Sequence, residues 1–257
     1  MRKTIIAGNW KMYKTINEGI ELANGLKREL FKVDKETIDV VLCPPFTALS
    51  EISEVLNESG IGLGAQNCYW QDEGAFTGEV SPKMIKDAGC QYVIIGRSER
   101  RQFFGETNET VNKKIKAVLT HGLTPIMCVG EMLAEREKGE TFKILEAHVA
   151  GGLKDISAED LLKIVIAYEP VWAIGTGKTA TPEQAQETHK YIRDLLVKLY
   201  NKEVADSVRI QYGGSVKPDN IIELMKQPDV DGALVGGASL TVASFADIVK
   251  KASEVLK

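Results

Sequence analysis

Glu169 stands where an apolar run, Ile164 to Ala167, comes to an end, and Pro170 follows it at once. The run is rich in β-branched residues and short enough for a buried strand, and the proline biases Glu169 away from helix. The next segment carries Gly175 and Gly177 and has no helical period; Thr181-Pro182-Glu183 then reads as a helix start, with Thr181 as N-cap and Pro182 in the first position. A carboxylate at a strand end, ahead of a loop with glycines, is the arrangement of a general base under a closing lid. The bland alternative is a solvated loop carboxylate, the usual fate of a glutamate. Against it stands Trp172-Ala173-Ile174, an apolar run inside a loop that needs something to cover. Gly177-Lys178-Thr179 resembles the tail of a nucleotide-binding P-loop, but the glycine which that motif requires five residues before Gly177 is Trp172 here.

Other chemistry-bearing residues also follow apolar runs. Asn9 and Lys11 come after Thr4–Gly8, and Gly96-Arg97-Ser98-Glu99-Arg100-Arg101 after Tyr92–Ile95. Tyr212-Gly213-Gly214-Ser215-Val216 and Gly236-Gly237 each precede a helical stretch. Glycine-rich turns before helices let backbone N–H groups close around a phosphate, aided by the helix dipole. One Gly-Gly pair is usually only a turn; two at neighbouring strand ends point to an anion cradle.

The elements that must hold these residues alternate along the chain. Eight runs read as strands: Thr4–Gly8, Ile38–Cys43, Gly62–Ala65, Tyr92–Ile95, Thr124–Val129, Ile164–Ala167, Val208–Gln211 and Gly232–Val235. Between and after them lie amphipathic stretches: Ile16–Leu30, Thr47–Asn57, Pro82–Ala88, Glu106–Leu119, Thr141–Leu153, Glu183–Leu199, Pro218–Met225 and Leu240–Val255, with a short turn near Ala158–Leu161. This alternation predicts parallel β-α-β units, and the continuously apolar strands fit a sheet covered on both faces. Eight units in 257 residues predict a (β/α)8 TIM barrel occupying residues 1–257 as one α/β domain, in preference to an open doubly wound sheet. In a barrel of this kind chemistry belongs to the loops after the strands, and phosphate sites are frequent after strands seven and eight.

Composition narrows the class. With 44% hydrophobic residues the chain can build a core, and no apolar run approaches the length of a membrane span. The run after Met1-Arg2-Lys3 is too short for a signal peptide, and a net charge of −4 argues against nonspecific nucleic-acid binding. Cys43, Cys68, Cys90 and Cys128 form no Cys-x-x-Cys pair, which predicts a reducing, cytoplasmic setting and no metal ribbon. The long segment from Gln66 to Glu79 carries Tyr69, Trp70 and Phe76, a patch that predicts a homodimer.

Taken together the residues resemble the triosephosphate isomerase family. The resemblance covers essentially the whole chain and rests on Ala7-Gly8-Asn9-Trp10-Lys11-Met12, Gly64-Ala65-Gln66-Asn67, Ser98-Glu99-Arg100-Arg101, Ala167 to Gly177, Tyr212 to Val216 and Leu234 to Ala238. It implies cofactor-free interconversion of dihydroxyacetone phosphate and glyceraldehyde 3-phosphate, in glycolysis and gluconeogenesis. It further implies Glu169 as the base, Lys11 as positive charge at the substrate and Asn9 as a hydrogen-bonding partner. The backbone around Gly175, Ser215, Gly236 and Gly237 would grip the phosphate, and the segment from Pro170 to Ala180 would close as the lid. Thr77 would reach into a second copy of the chain.

One position departs from the family pattern. Where the strand-four motif has histidine, this chain has Arg97. The pairing of a carboxylate base with a neutral imidazole electrophile is this family's own established chemistry. A guanidinium donates hydrogen bonds but stays protonated, so it does not relay a proton between the two substrate oxygens. Its expected partners are Glu99 and Glu169, and pairing with Glu169 lowers that carboxylate's basicity. His121, His148 and His189 fall at a helix end or within outer helices and do not replace the missing imidazole. The expectation is an isomerase impaired by Arg97. The competing readings are a non-catalytic phosphosugar-binding barrel and a lyase using Lys11 as Schiff-base nucleophile.

Overall fold

Eight parallel strands close on themselves in sequence order, β1 Thr4–Asn9, β2 Ile38–Cys43, β3 Ile61–Ala65, β4 Tyr92–Ile95, β5 Thr124–Val129, β6 Val165–Tyr168, β7 Arg209–Tyr212 and β8 Gly232–Val235. The last step is the pairing of β1 with β8, Ile6 opposite Ala233 and Gly8 opposite Val235. This computed structural model describes residues 2–174 and 179–255. The predicted (β/α)8 barrel is what the chain forms.

The continuous apolar runs are explained by two cores. Along β1, Ile5 and Ala7 enter the barrel interior with Val41, Ile94, Ile126 and Leu234. Ile6 faces outward into the shell shared with Leu26, Val93, Ile192 and Phe245. The period of two is therefore present, but both phases are buried, so no polar residue marks it. The four cysteines are buried and free.

Helix starts follow their local chemistry. Thr181 accepts from the Gln184 N–H at 3.2 Å while Gln184 Oε1 accepts from the Thr181 N–H at 3.0 Å, so the helix Pro182–Leu199 begins with a capping box and Pro in its first turn. Ser81 caps Pro82–Asp87 more simply, its hydroxyl accepting from the Met84 N–H at 3.2 Å ahead of Pro82 in the first turn. Several expected boundaries move. The stretch from Glu106 starts as helix only at Asn108, capped by Thr107. Ahead of it lies a separate short helix, Ser98–Phe103, that ends before Gly105 with φ 65°. Thr47–Asn57 and Leu240–Val255 each resolve into a 3-10 turn, Phe46–Ala48 or Gly237–Leu240, leading into an α-helix, Leu49–Leu56 or Val242–Ser253. Pro218–Met225 shortens to Ile221–Met225. The short helices Leu133–Glu137 and Lys202–Ser207 are unanticipated, each being too brief to show a period. β1, β6 and β7 each run one residue further than predicted, which carries Asn9, Tyr168 and Tyr212 into the sheet.

Candidate active site

All the chemistry sits at the C-terminal ends of the strands. Asn9 is the last residue of β1; its Oδ1 accepts from the Lys11 N–H at 3.0 Å. Lys11 has φ 53°, in the left-handed region that non-glycine residues rarely occupy. The turn is held by Gln66, whose Nε2 donates to the carbonyls of Lys11 and Cys43, both at 2.8 Å. Strain of this kind persists only where the surroundings over-determine it. The sequence flagged Lys11 and Asn9, but only the fold shows Asn9 and Gln66 setting the direction of Lys11.

Arg97 follows β4, and its guanidinium is buried at 5% exposure beside a Glu169 carboxylate at 1%. Nη1 forms an ion pair with Glu169 Oε1. That oxygen has no aligned hydrogen-bond donor among the described residues, so charge and close contact hold the pair. Arg97 Nε and Nη2 donate to Glu99 at 3.1 and 3.3 Å, and Lys11 Nζ pairs with Glu99 at 2.7 Å. The Ser98 N–H donates to Glu169 Oε2 at 3.1 Å. The result is an alternating line of charges, Lys11, Glu99, Arg97, Glu169.

Electrostatics at Glu169 are a contest. Burial pushes its carboxyl up to about 6; Arg97, the Ser98 N–H and Lys11 pull it down, and Glu99 pushes it further up. Arg97 thus acts in the expected direction, but desolvation of a fully enclosed carboxylate outweighs it. For Arg97, burial works against the cation, yet Glu169 and Glu99 hold it above its ordinary value. Glu99 is less enclosed. Burial raises it, but Arg97 and Lys11 together bring it to about 2.

The glycine-rich loops after β7 and β8 form a pocket of about 380 Å³. Its walls include Ser215, Gly236 and Gly237, with Lys11 and Arg97 at the inner end and Ile174 from the loop after β6. A Cβ at Gly236 would meet Lys11 Cε at 3.4 Å, and one at Gly237 would meet nothing within 4 Å. Gly175 falls outside the described residues, as does the centre of the expected lid. Tyr13, Leu234 and Leu240 also line the pocket and were not anticipated. Single apolar or aromatic residues carry no spacing that would mark them.

Glu169 itself does not line that pocket. It lines a smaller neighbouring cavity of about 210 Å³ with Ser98, Arg101, Met132 and His148. His148 was expected on an outer helix and is found there, but it shares a wall with the carboxylate, its Nδ1 accepting from the Gly130 N–H at 3.4 Å. Burial, and then Arg101, hold its ring down at about 4. His189 is wholly buried, also held at about 4 by burial, and His121 pairs with Asp72 at 2.7 Å.

The start of the loop after β6 is anchored by a residue that sequence reasoning missed. Glu131, fully buried, accepts at Oε1 from Trp172 Nε1 at 2.9 Å, Arg136 Nη1 at 3.1 Å and the Tyr168 hydroxyl at 3.2 Å. The Arg136 guanidinium also lies 4.4 Å from the centre of the Trp172 ring. Trp172 and Ile174 are half-buried and Ala173 fully buried, so the apolar run does cover something. Among the described residues no group of three or more His, Cys, Asp or Glu is placed to hold a metal ion, and no helix is long and apolar enough to cross a membrane.

A closed parallel barrel with a buried carboxylate after β6 and a glycine-walled pocket after β7 and β8 has the architecture of a barrel enzyme for a small phosphorylated substrate. The family model described as triosephosphate isomerase matches residues 4–252. Proteins named triosephosphate isomerase from Carboxydothermus hydrogenoformans and Trichlorobacter lovleyi are 60% and 56% identical, each over 97% of this chain and 99% of their own length. One from a Thermoanaerobacter species is 53% identical over the same shares. The chain belongs to the triosephosphate isomerase family, and its reaction class is that of an intramolecular aldose–ketose isomerase.

Proposed function

We propose that the chain interconverts dihydroxyacetone phosphate and glyceraldehyde 3-phosphate, and that Arg97 limits its turnover. The observation that carries the second half is the buried pairing of Arg97, itself on the wall of the proposed substrate pocket, with Glu169 behind it. The substrate phosphate sits against the backbone at Ser215, Gly236 and Gly237, and at Gly175 from the family pattern. Glu169 takes a proton from the carbon beside the carbonyl and returns it to the neighbouring carbon. Lys11 and Arg97 stabilise the negative enediolate between these steps, and Asn9 holds Lys11 in place. Arg97 does not carry the proton that must pass between the two oxygens. Glu169 must also leave its ion pair to reach substrate.

The same pairing supports a second reading, a barrel that binds phosphosugars without turnover. The ion pair between Lys11 and Glu99 disfavours the lyase reading, which needs a desolvated neutral amine. A coupled isomerase assay of this chain beside its Arg97→His variant tests the proposal. Slow but measurable turnover here and fast turnover in the variant are expected; equal rates overturn the role given to Arg97, and absent turnover with ligand still bound favours the second reading.

We further propose that the chain works as one barrel domain and as a homodimer in a cytoplasmic setting. The segment after β3 supports the dimer. Tyr69 stacks on Trp70 at 4.1 Å and both are half-buried, a smaller patch than the sequence suggested, but Phe76 is 41% exposed, and Met12 and Tyr13 stand out at 94% and 57%. The four buried thiols are compatible with a reducing compartment.

A further inference from the structure

We propose that the 210 Å³ cavity behind Glu169 is a second ligand site, separate from the phosphate pocket, built for a small neutral primary carboxamide. It lies between the loops after β4 and β5, with Ser98, Arg101, Met132, Glu135, His148 and Glu169 on its walls. One of these residues, Arg101, carries a buried polar atom without a hydrogen-bond partner among the described residues, Nη2, whereas Glu169 Oε1 is taken up by its ion pair with Arg97. The rest of Arg101 is engaged, Nε with the Gly96 carbonyl at 3.0 Å and Nη1 with Asn108 Oδ1 at 2.8 Å. Nη2 is the one nitrogen of this guanidinium with no acceptor among the described residues. A buried donor left unmade costs stability that a suitable ligand recovers. Burial also holds this guanidinium below its ordinary value, with Glu106 opposing, so an acceptor beside it is favoured.

The ligand class follows from charge and size. The wall offers one cationic donor and two carboxylates, Glu135 and Glu169, while burial keeps His148 neutral at ordinary pH. A carboxylate ligand meets like charge on two sides. A primary amide presents its carbonyl to Arg101 and its NH₂ to a carboxylate oxygen, and remains neutral. The volume is that of roughly seven waters, which suits a molecule of about six non-hydrogen atoms with a short apolar body. This is smaller than a drug-sized site, and a Kd of about 1–10 mM is expected. Because Glu169 is itself a wall, an occupant bears directly on where the carboxylate rests. The site does not depend on the function proposed above, and its test reads binding alone.

Isobutyramide is the probe, followed through the ring resonances of the three histidines. The His148 signals should shift saturably in the millimolar range while those of His121 and His189 stay in place. Saturating inorganic phosphate should leave the titration unchanged. Met132→Trp, at the exposed edge of the cavity, should weaken binding at least tenfold, and Gln102→Trp serves the same purpose should the first variant fail to fold. A His148 signal that does not saturate, displacement by phosphate, undiminished binding to a folded tryptophan variant, or isobutyrate binding as tightly as the amide would each overturn the proposal.

Discussion

Arg97 stands between Glu169 and the substrate pocket. The guanidinium lines the glycine-walled pocket together with Lys11, whereas the carboxylate it is paired with lines the cavity on the other side. The carboxylate proposed as base is therefore screened from the pocket by a cation that is itself tied to Glu99. Arg97→His removes the screen and restores a group able to exchange a proton. Turnover should rise at least about 10²-fold, some 2.7 kcal/mol of transition-state stabilisation. The change should appear in kcat rather than KM, because the phosphate grip lies elsewhere. Steady-state rates of both proteins at saturating substrate decide it.

The acid limb of the rate profile should report Glu169. The base must be ionised to act, and its carboxyl sits at about 6, so kcat/KM should fall as pH drops through that value. Arg97 lowers this carboxyl, so replacing it by a neutral imidazole removes a downward pull. In Arg97→His the acid limb should move to higher pH. A limb that stays in place or moves to lower pH would show that Arg97 and Glu169 are not coupled in solution.

Gly237 offers a probe of the pocket proposed for phosphate, because it is exposed and nothing lies within 4 Å of a Cβ added there. Gly237→Leu should fold with stability within about 0.5 kcal/mol of the parent, as open surface positions allow. Its affinity for inorganic phosphate, expected to be millimolar or tighter in the parent, should fall at least tenfold. Calorimetric titration and a thermal melt on the same sample separate the two effects.

Glu131 gathers three donors from β6, the following loop and the helix Leu133–Glu137. Glu131→Ala leaves the Tyr168 hydroxyl without this acceptor in a buried site, and takes the same bond from Trp172 and Arg136. A loss of about 2–3 kcal/mol is expected, lowering Tm by roughly 5–10 °C. Glu131→Gln, which keeps an acceptor oxygen, should recover part of it. Equal melting of Glu131→Ala and the parent would remove Glu131 from the anchoring role.

Sedimentation at micromolar concentration should show a dimer, and Phe76→Asp should shift it toward monomer. A monomeric parent would refute the assembly inferred from the exposed aromatic and methionine side chains near the loops after β1 and β3.

Periodicity and turn chemistry were enough to determine the order of strands, the barrel class, the Thr181-Pro182 helix start and the two glycine-rich loops. Each of these is a local property: an apolar run, a capping residue or a pair of small residues can be read from neighbours in sequence. The same local reading placed Glu169 at a strand end, and the family resemblance singled out Arg97 as a group unable to move a proton. What Arg97 does was decided by the tertiary structure. Both candidate partners were named in advance, but only the folded barrel brings β4 and β6 together so that the guanidinium serves Glu99 and Glu169 at once and faces the pocket in place of the base. The net shift of Glu169 is likewise a property of the fold, since desolvation depends on every element packed around the carboxylate rather than on its one charged neighbour. Glu131 and the cavity beside His148 carry no sequence mark, and Gln66 stands in a motif that does not show its hold on the Lys11 turn, because each depends on contacts with residues distant in the chain. An isolated polar residue in a chain reads as solvated until the fold encloses it.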